Sequence, residues 1–173
     1  MNYADIKRVD VANGPGVRVS LFVSGCTHHC LECFNPETWD FHFGAPFGPE
    51  QVEAILGYLR PSHIRGLSLL GGEPFEPENQ AAVLELVERV RKELPEKDIW
   101  CYSGYLFENL SQGKVGKKSR ALLEQLDVLV DGPFVIAKKN LALRFRGSEN
   151  QRIIRVRDSL AQNKIVLWDD GQN

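Results

Sequence analysis

Three cysteines within eight positions constrain this 173-residue chain more than any other feature. Cys26, Cys30 and Cys33 have the spacing CxxxCxxC, and thiolates this close in sequence can converge on one soft metal centre. A two-ended zinc site needs a second ligand pair further along the chain. The one remaining cysteine is Cys101, and the later histidines stand alone. Three thiolates without a fourth suit an iron–sulfur cube with one open iron, which suggests that this iron binds a substrate.

Composition indicates a globular domain and excludes several classes of protein. Hydrophobic residues make up 43% of the chain and charged residues 25%, as in ordinary globular domains. The net charge of −2 gives no basic footprint for nucleic acid. No apolar run approaches the ~18 to 20 residues of a membrane span, and the N-terminus lacks the apolar stretch of a signal peptide. We therefore expect a cytoplasmic protein that binds neither nucleic acid nor membrane, with cysteines that are metal ligands rather than disulfides.

Strand and helix patterns alternate along the chain. β-Branched alternation predicts a strand over 17–23, whose C-terminal end leads into the cysteine loop. Apolar residues at helical spacing predict helices from Pro49 to Leu59 and from Pro77 to Leu94. Turn-forming residues predict a turn over 13–16. The remaining expected elements are strands at 6–11, 66–70, 98–102, 127–131, 153–156 and 165–168, and helices at 106–110 and 118–126.

This alternation predicts an α/β fold with a mostly parallel, curved sheet and right-handed crossovers. A complete eight-unit barrel needs about 250 residues, more than the chain has. We therefore expect a shortened, partial (open) βα barrel. It would form a single domain over 1–173, with the cysteine loop at 24–36 and a core at about 17–156.

Several motifs together resemble a known family. CxxxCxxC resembles the signature of the radical S-adenosylmethionine (radical SAM) enzymes, which implies a shortened barrel of that type. The match extends upstream through NGPGVR at 13–18 and FVSG at 22–25, a pattern similar to the glycyl-radical-enzyme activases. The segment FRGSENQR at 145–152 resembles the activases of anaerobic ribonucleotide reductases. The resemblance runs from about Asp10 to Val156.

The resemblance implies two cofactors and a partner. Cys26, Cys30 and Cys33 would hold one 4Fe-4S cluster per chain, and the open iron would chelate S-adenosylmethionine (SAM). Reductive cleavage would give methionine and a 5′-deoxyadenosyl radical, which would take a hydrogen atom from a glycine of the large subunit of an anaerobic ribonucleotide reductase. A low-potential donor such as flavodoxin or ferredoxin would supply the electron. Three alternatives stay open: an activase of another glycyl radical enzyme, a radical SAM enzyme acting on a small molecule, and a structural zinc or electron-carrier protein.

A glycine motif at the end of a predicted strand is the first candidate for binding SAM. Gly71, Gly72, Glu73 and Pro74 resemble the GGE motif of the family. The two glycines would let a ligand approach the backbone closely, and Glu73 could help to fix the ammonium group of SAM. The alternative is an ordinary glycine turn between strand and helix.

Further SAM candidates lie in the cysteine loop and at the ends of later strands. Many loops of the family carry an aromatic residue just before the third cysteine, where this chain has Glu32. The backbone of Glu32, Cys33 and Phe34, or the Phe34 ring, would then contact adenine. Ser103 and Asp131 follow the third and fourth core strands and are secondary candidates, although Asp131 could instead cap a turn.

The segment 138–157 is strongly basic for a chain of this net charge. It is either a solvated face or a docking surface for an acidic partner, and Arg144, Arg146 and Arg152 are the candidate contacts. Two expectations concern other residues. Cys101 should be a small buried hydrophobe in its strand, and His28 and His29 should face solvent because they lie between ligands.

Overall fold

The computed structural model describes residues 1–169, in which seven strands and five α-helices form. The strands are β1 (Asn2–Asp10), β2 (Val17–Val23), β3 (Ala45–Pro46), β4 (Ile64–Gly71), β5 (Asp98–Tyr102), β6 (Val128–Asp131) and β7 (Arg152–Arg155). The helices are α1 (Pro49–Leu59), α2 (Pro77–Glu93), α3 (Phe107–Ser111), α4 (Ser119–Glu124) and α5 (Val156–Gln162). Short 3-10 turns lie at Pro36–Trp39 and Ile136–Lys138. No helix in this part of the chain combines the length and apolar character needed to cross a lipid bilayer.

The strands form one mixed sheet in the order β3-β1-β2-β4-β5-β6-β7. Its four central strands, β2, β4, β5 and β6, run parallel to one another. β1 pairs antiparallel with both β2 and β3, and β7 pairs antiparallel with β6. The carboxyl ends of the central strands therefore meet at one edge of the sheet.

The prediction of a partial, mostly parallel βα barrel is wrong, because the structure is a small α/β fold built on a mixed seven-stranded sheet. The reason lies in two connections. The turn at 13–16 joins β1 to β2 and is too short for a crossover, so these strands pair antiparallel. After β6 the chain reaches β7 without an intervening α-helix and enters it from the edge where β6 ended. Antiparallel pairing on both flanks ends the parallel repeat that a barrel would need.

The helices pack their apolar sides against one face of the sheet. In α1 the four residues at helical spacing, Val52, Ile55, Leu56 and Leu59, are all buried. In each strand every second residue faces the helices, because successive side chains of a strand point to opposite faces of the sheet. The buried sheet residues in this core are Val19, Leu21, Val23, Ile64, Leu67, Leu69, Ile99, Cys101, Leu129 and Ile154.

Among residues 1–169, no α-helix packs on the second face of the sheet, which is covered by irregular chain. Trp100, Val128, Val130 and Ile153 form its small apolar cluster, with Tyr102, Phe145 and Trp168 packed against them. The Trp100 ring lies edge-on to Phe145 at 5.6 Å and to Trp168 at 5.1 Å between centroids. The strand expected at 165–168 does not form, and only an isolated bridge joins Leu167 to Ile154.

A fully buried arginine lies on this second face. Arg18 donates hydrogen bonds to the Ser68 hydroxyl (2.7 Å) and the Leu67 carbonyl (2.9 Å), and its guanidinium pairs with Asp98 at 2.6 Å. It also donates to the Pro15 carbonyl at 3.2 Å, which ties the 13–16 turn to the sheet. The NGPGVR segment thus has a structural role in closing the β1–β2 connection.

Candidate functional site

A cavity of about 500 Å³ opens at the carboxyl edge of the central strands and extends over the second face of the sheet. Phe22, Leu70 and Tyr102 of the sheet line it on one side, and chain between Asn140 and Gly147 lines it on another. All three clustered cysteines also border this cavity. Of the other residues predicted from sequence to bind a ligand or partner, the lining includes Phe34, Gly71, Gly72, Glu73, Ser103 and Arg146.

The three cysteines differ in exposure. Cys26 is buried, whereas Cys30 and Cys33 are partly exposed. The Cys33 amide donates to the Cys30 carbonyl at 3.1 Å, which closes a tight turn around these two ligand candidates. Within residues 1–169 no three His, Cys, Asp or Glu side chains are grouped as ligands of a single metal ion. The three cysteines border the cavity from different positions in the loop. Burial raises the pKa of the Cys26 thiol to about 12, and the charges of nearby carboxylates add to this effect.

Glu73 joins three elements at the edge of the cavity. Its side chain is 1% exposed. One carboxylate oxygen accepts hydrogen bonds from the Phe75 amide and the Ser103 hydroxyl, both at 2.9 Å. The other accepts from the Gly104 amide at 2.7 Å and lies 2.9 Å from Nε2 of His28. The end of β4, the end of β5 and the cysteine loop are therefore held together by one buried carboxylate.

The expectation that His28 faces solvent is wrong. Its side chain is only 18% exposed, and its ring lies edge-on to Tyr105 with 4.4 Å between centroids. The hydrogen bond with Glu73 raises the pKa of His28 above its ordinary value, although burial acts in the opposite direction. His29 is exposed, as expected, and stacks on Trp39 at 4.6 Å.

A second buried glutamate holds the same loop. Glu76 is 3% exposed at the start of α2, and one of its carboxylate oxygens accepts from the Thr27 amide (2.7 Å) and the Thr27 hydroxyl (2.6 Å). Asn79, 1% exposed, donates to the carbonyls of Ser24 (2.9 Å) and Glu73 (3.1 Å). Sequence reasoning missed Glu76 and Asn79, because polar residues in a first helical turn are typical of ordinary helix capping.

The chain's own backbone explains the need for glycine at position 72. A Cβ atom on Gly72 would lie 2.6 Å from the Gly25 carbonyl oxygen and 2.9 Å from that of Thr38. The Gly72 amide also donates to the Val23 carbonyl at 2.7 Å. Gly72 lines the cavity as well, so close packing of strand ends and access for a ligand are both compatible with this glycine.

Three of the predicted SAM contacts lie outside the cavity lining. Glu32 is exposed and has a left-handed backbone with φ of +56°, and Pro74 is buried. Asp131 is fully buried, where it accepts from the Phe107 amide at 2.8 Å and from Nε of Arg152 at 2.9 Å. Its carboxylate therefore fixes the start of α3 and of β7.

The candidate partner arginines have three different environments. Arg152 pairs with Asp131 and also makes a bidentate pair with Glu108 at 2.8 and 3.0 Å. Arg146 lines the cavity and donates to the Gln151 carbonyl at 2.7 Å. Arg144 is exposed, with its guanidinium 5.1 Å from the centre of the Phe145 ring. Of the three, Arg144 is the most open to a partner.

Residues 12–154 match the family described as a 4Fe-4S single cluster domain, which makes the chain an iron–sulfur protein of that class. It is also similar to three proteins named anaerobic ribonucleoside-triphosphate reductase-activating protein. That of Vibrio cholerae serotype O1 is 45% identical over 90% of this chain and 98% of the relative. That of Escherichia coli K12 is 41% identical over 91% of this chain and 100% of the relative. That of Enterobacteria phage T4 is 41% identical over 88% of this chain and 93% of the relative. The chain therefore belongs to the family of anaerobic ribonucleoside-triphosphate reductase-activating proteins.

Proposed function

We propose that this protein activates an anaerobic ribonucleoside-triphosphate reductase, and that it does so as a radical SAM enzyme. One observation carries the proposal. In a chain of this family, three cysteines and the Gly71–Glu73 segment border the same cavity at the carboxyl edge of a sheet. Ligand sites of α/β proteins form preferentially at this edge.

The donor set fits a 4Fe-4S cluster. Cys26, Cys30 and Cys33 line the cavity, whereas Cys101 is fully buried in β5 among the core residues. Each of the three thiolates would bind one iron, and the fourth iron would have no cysteine. Because a metal cation favours the thiolate, bound iron would overcome the raised pKa of Cys26.

SAM would bind beside the cluster in the same cavity. A bound cluster and SAM would supply a one-electron cleavage that generates a radical able to take a hydrogen atom from a glycine of the reductase. We assign Gly71, Gly72 and Ser103 to direct contact with SAM, because they line the cavity. Glu73 also lines it, but its carboxylate oxygens already bind the chain's own groups, so its main role is to hold the loop.

The reductase would complete the wall of the cavity. Phe34 and Leu141 line the cavity, yet they are 68% and 88% exposed. A reactive radical must be kept from water and stray hydrogen donors. We therefore propose that the large subunit of the reductase covers this rim. A low-potential donor such as flavodoxin or ferredoxin would provide the electron, in the cytoplasm, where thiols stay reduced.

The test is the appearance of a glycyl radical in the reductase. Anaerobically reconstituted protein would be mixed with the reductase large subunit, SAM and dithionite, and the radical followed by electron paramagnetic resonance. We expect a glycyl radical, together with methionine and 5′-deoxyadenosine. Cys26→Ala, Cys30→Ala and Cys33→Ala should each lose the cluster and the radical, while Cys101→Ala should retain both.

Other outcomes would select the alternatives. Protein with a full cluster that cleaves SAM but leaves no radical in the reductase would point to another glycyl radical enzyme or to a small-molecule substrate. Zinc in place of iron and sulfide would contradict the proposal and favour a structural site. Full iron and sulfide in any of the three cysteine variants would show that the ligand assignment is wrong.

A further inference from the structure

We propose that Glu76 is a positioning residue whose buried negative charge lowers the reduction potential of the cluster held by the cysteine loop. This inference rests on the proposed function, because it needs a cluster at Cys26, Cys30 and Cys33. It concerns a residue that lies outside the cavity lining and outside the GGE segment. Its role would be exerted through Thr27, the residue that follows the first cysteine.

The geometry fixes the carboxylate against the loop. Glu76 is 3% exposed, and the Thr27 amide and hydroxyl both donate to one of its oxygens, at 2.7 and 2.6 Å. The Glu76 carbonyl accepts from the amides of Asn79 and Gln80 at 2.8 and 3.1 Å, which anchors the residue at the start of α2. A 17-residue helix on one side and a loop residue next to Cys26 on the other thus hold the charge in place.

The charge of Glu76 is less compensated than that of Glu73. Four polar groups surround the Glu73 carboxylate: the Phe75 and Gly104 amides, the Ser103 hydroxyl, and Nε2 of His28 at 2.9 Å. Within residues 1–169, Glu76 is in no ion pair, and its donors on Thr27 are neutral. The positive end of the α2 dipole offsets part of the cost of burying the carboxylate. The loop therefore carries one buried negative charge without a cationic side chain bound to it.

Such a charge acts on electron transfer. Reduction adds one electron from a low-potential one-electron donor to the oxidised cluster; no bond forms or breaks and no proton is required. A nearby negative charge in a poorly screened site opposes this addition. Removing the charge should make reduction about tenfold more favourable at a fixed donor potential, which corresponds to a rise of about 59 mV for a one-electron couple.

The test compares Glu76→Gln with two matched variants of the full chain. Glutamine keeps the shape and one acceptor oxygen for Thr27 but removes the charge. Thr27→Val keeps the charge and removes the hydrogen bonds of the Thr27 hydroxyl, to Glu76 and with Tyr105. Glu78→Gln removes an exposed charge from the first turn of the same helix. Each protein is reconstituted anaerobically, and the reduced cluster is titrated against potential by electron paramagnetic resonance, without SAM.

We expect the midpoint potential to rise by about 59 mV in Glu76→Gln and to stay near the wild-type value in Thr27→Val and Glu78→Gln. In the apo protein, amide exchange of residues 26–30 should increase in Thr27→Val and not in Glu78→Gln. A potential that is unchanged in Glu76→Gln with full cluster content overturns the inference. If Glu76→Gln takes up no cluster, the midpoint potential of Thr27→Val decides. A rise of about 59 mV in that variant would attribute the change in potential to loop geometry and overturn the inference. An unchanged potential, with faster amide exchange in the loop, supports it.

The two proposals fail in different ways. A wild-type protein that takes up no four-iron cluster overturns the proposed function and this inference with it. A wild-type protein that cleaves SAM, with a Glu76→Gln potential equal to its own, overturns the inference alone.

Discussion

Glutamine in place of Glu73 would separate the role of this residue in holding the loop from a role in binding SAM. The carboxylate accepts from Phe75, Ser103 and Gly104 and pairs with His28, at distances of 2.7 to 2.9 Å. Glutamine has one acceptor oxygen and one amino group in the same shape. Two of the four partners would therefore face a donor instead of an acceptor.

The least costly orientation points the new amino group at Phe75 and Ser103. The Ser103 hydroxyl can then accept a hydrogen bond, but the buried Phe75 amide loses its partner, at a cost of about 1–3 kcal/mol. The bonds from Gly104 and His28 would no longer have a charged acceptor, which weakens each by about 1 kcal/mol. The free energy of unfolding should fall by about 3–5 kcal/mol in total, a large part of the roughly 5–15 kcal/mol typical of a domain.

The assay is urea denaturation of the apo protein under anaerobic conditions, followed by tryptophan fluorescence. Glu78→Gln provides the control, because Glu78 is exposed and such substitutions usually change stability by no more than about 0.5 kcal/mol. Unchanged apo stability in Glu73→Gln, combined with weakened SAM binding to protein with a full cluster, would refute the reasoning. That result would make Glu73 a ligand of SAM rather than the residue that holds the loop.

Three further predictions concern other parts of the site and its support. Gly72→Ala should lower both apo stability and cluster uptake, because its Cβ would lie 2.6 Å from the Gly25 oxygen; a loss of SAM affinity alone, measured by calorimetry, would contradict this. Although burial acts to raise the pKa of Asp10, hydrogen bonds from Ser20, Ala12 and Asn13 together hold it below its ordinary value of 3.8. Asp10 therefore stabilises the fold above about pH 4, and the stability advantage of wild type over Asp10→Asn should shrink as the pH falls below that value in denaturation experiments. Arg152→Met leaves the buried Asp131 charge unpaired and should lower the free energy of unfolding by about 3 kcal/mol. Arg144→Glu should leave the free energy of unfolding unchanged and weaken association with the reductase only at low salt. Equal losses of stability in the two variants would contradict this difference.

Local patterns predicted most of the individual elements. β2 has the predicted bounds, Val17–Val23, and α2 ends one residue before the predicted Leu94. Both depend on side-chain periodicity, which is a local property of the chain. α5 was missed because its seven residues are too few to show a clear helical period.

The topology depended on connections, which periodicity does not describe. The sequence predicts the 13–16 turn, but the patterns of single elements do not assign β1 and β2 to an antiparallel pair at the flank of the sheet. The path from β6 to β7 was irregular in sequence, and no local pattern shows the direction in which an irregular segment returns. The predicted position of the candidate site does not depend on the barrel, because the carboxyl ends of parallel strands meet at one edge whether or not the sheet closes. The cysteines and the glycine motif therefore border one cavity in an open sheet, although their binding of the cluster and SAM stays a prediction.

The segment 145–152, which most resembles the reductase activators in sequence, forms part of the wall of the cavity. This role is more prominent than that of offering exposed charged side chains to a partner. The Gln151 side chain accepts from the amides of Gly147 (2.9 Å) and Ser148 (3.1 Å) and donates to the Gly132 carbonyl at 3.1 Å. Arg146 donates to the backbone of Gln151, and Arg146, Gly147 and Gln151 all line the cavity. These bonds fold the segment onto the end of β6 and make it a wall of the same space that the cysteines border. Recognition of the reductase would then depend on the form of this wall, with exposed charge such as that of Arg144 acting mainly on the rate of encounter.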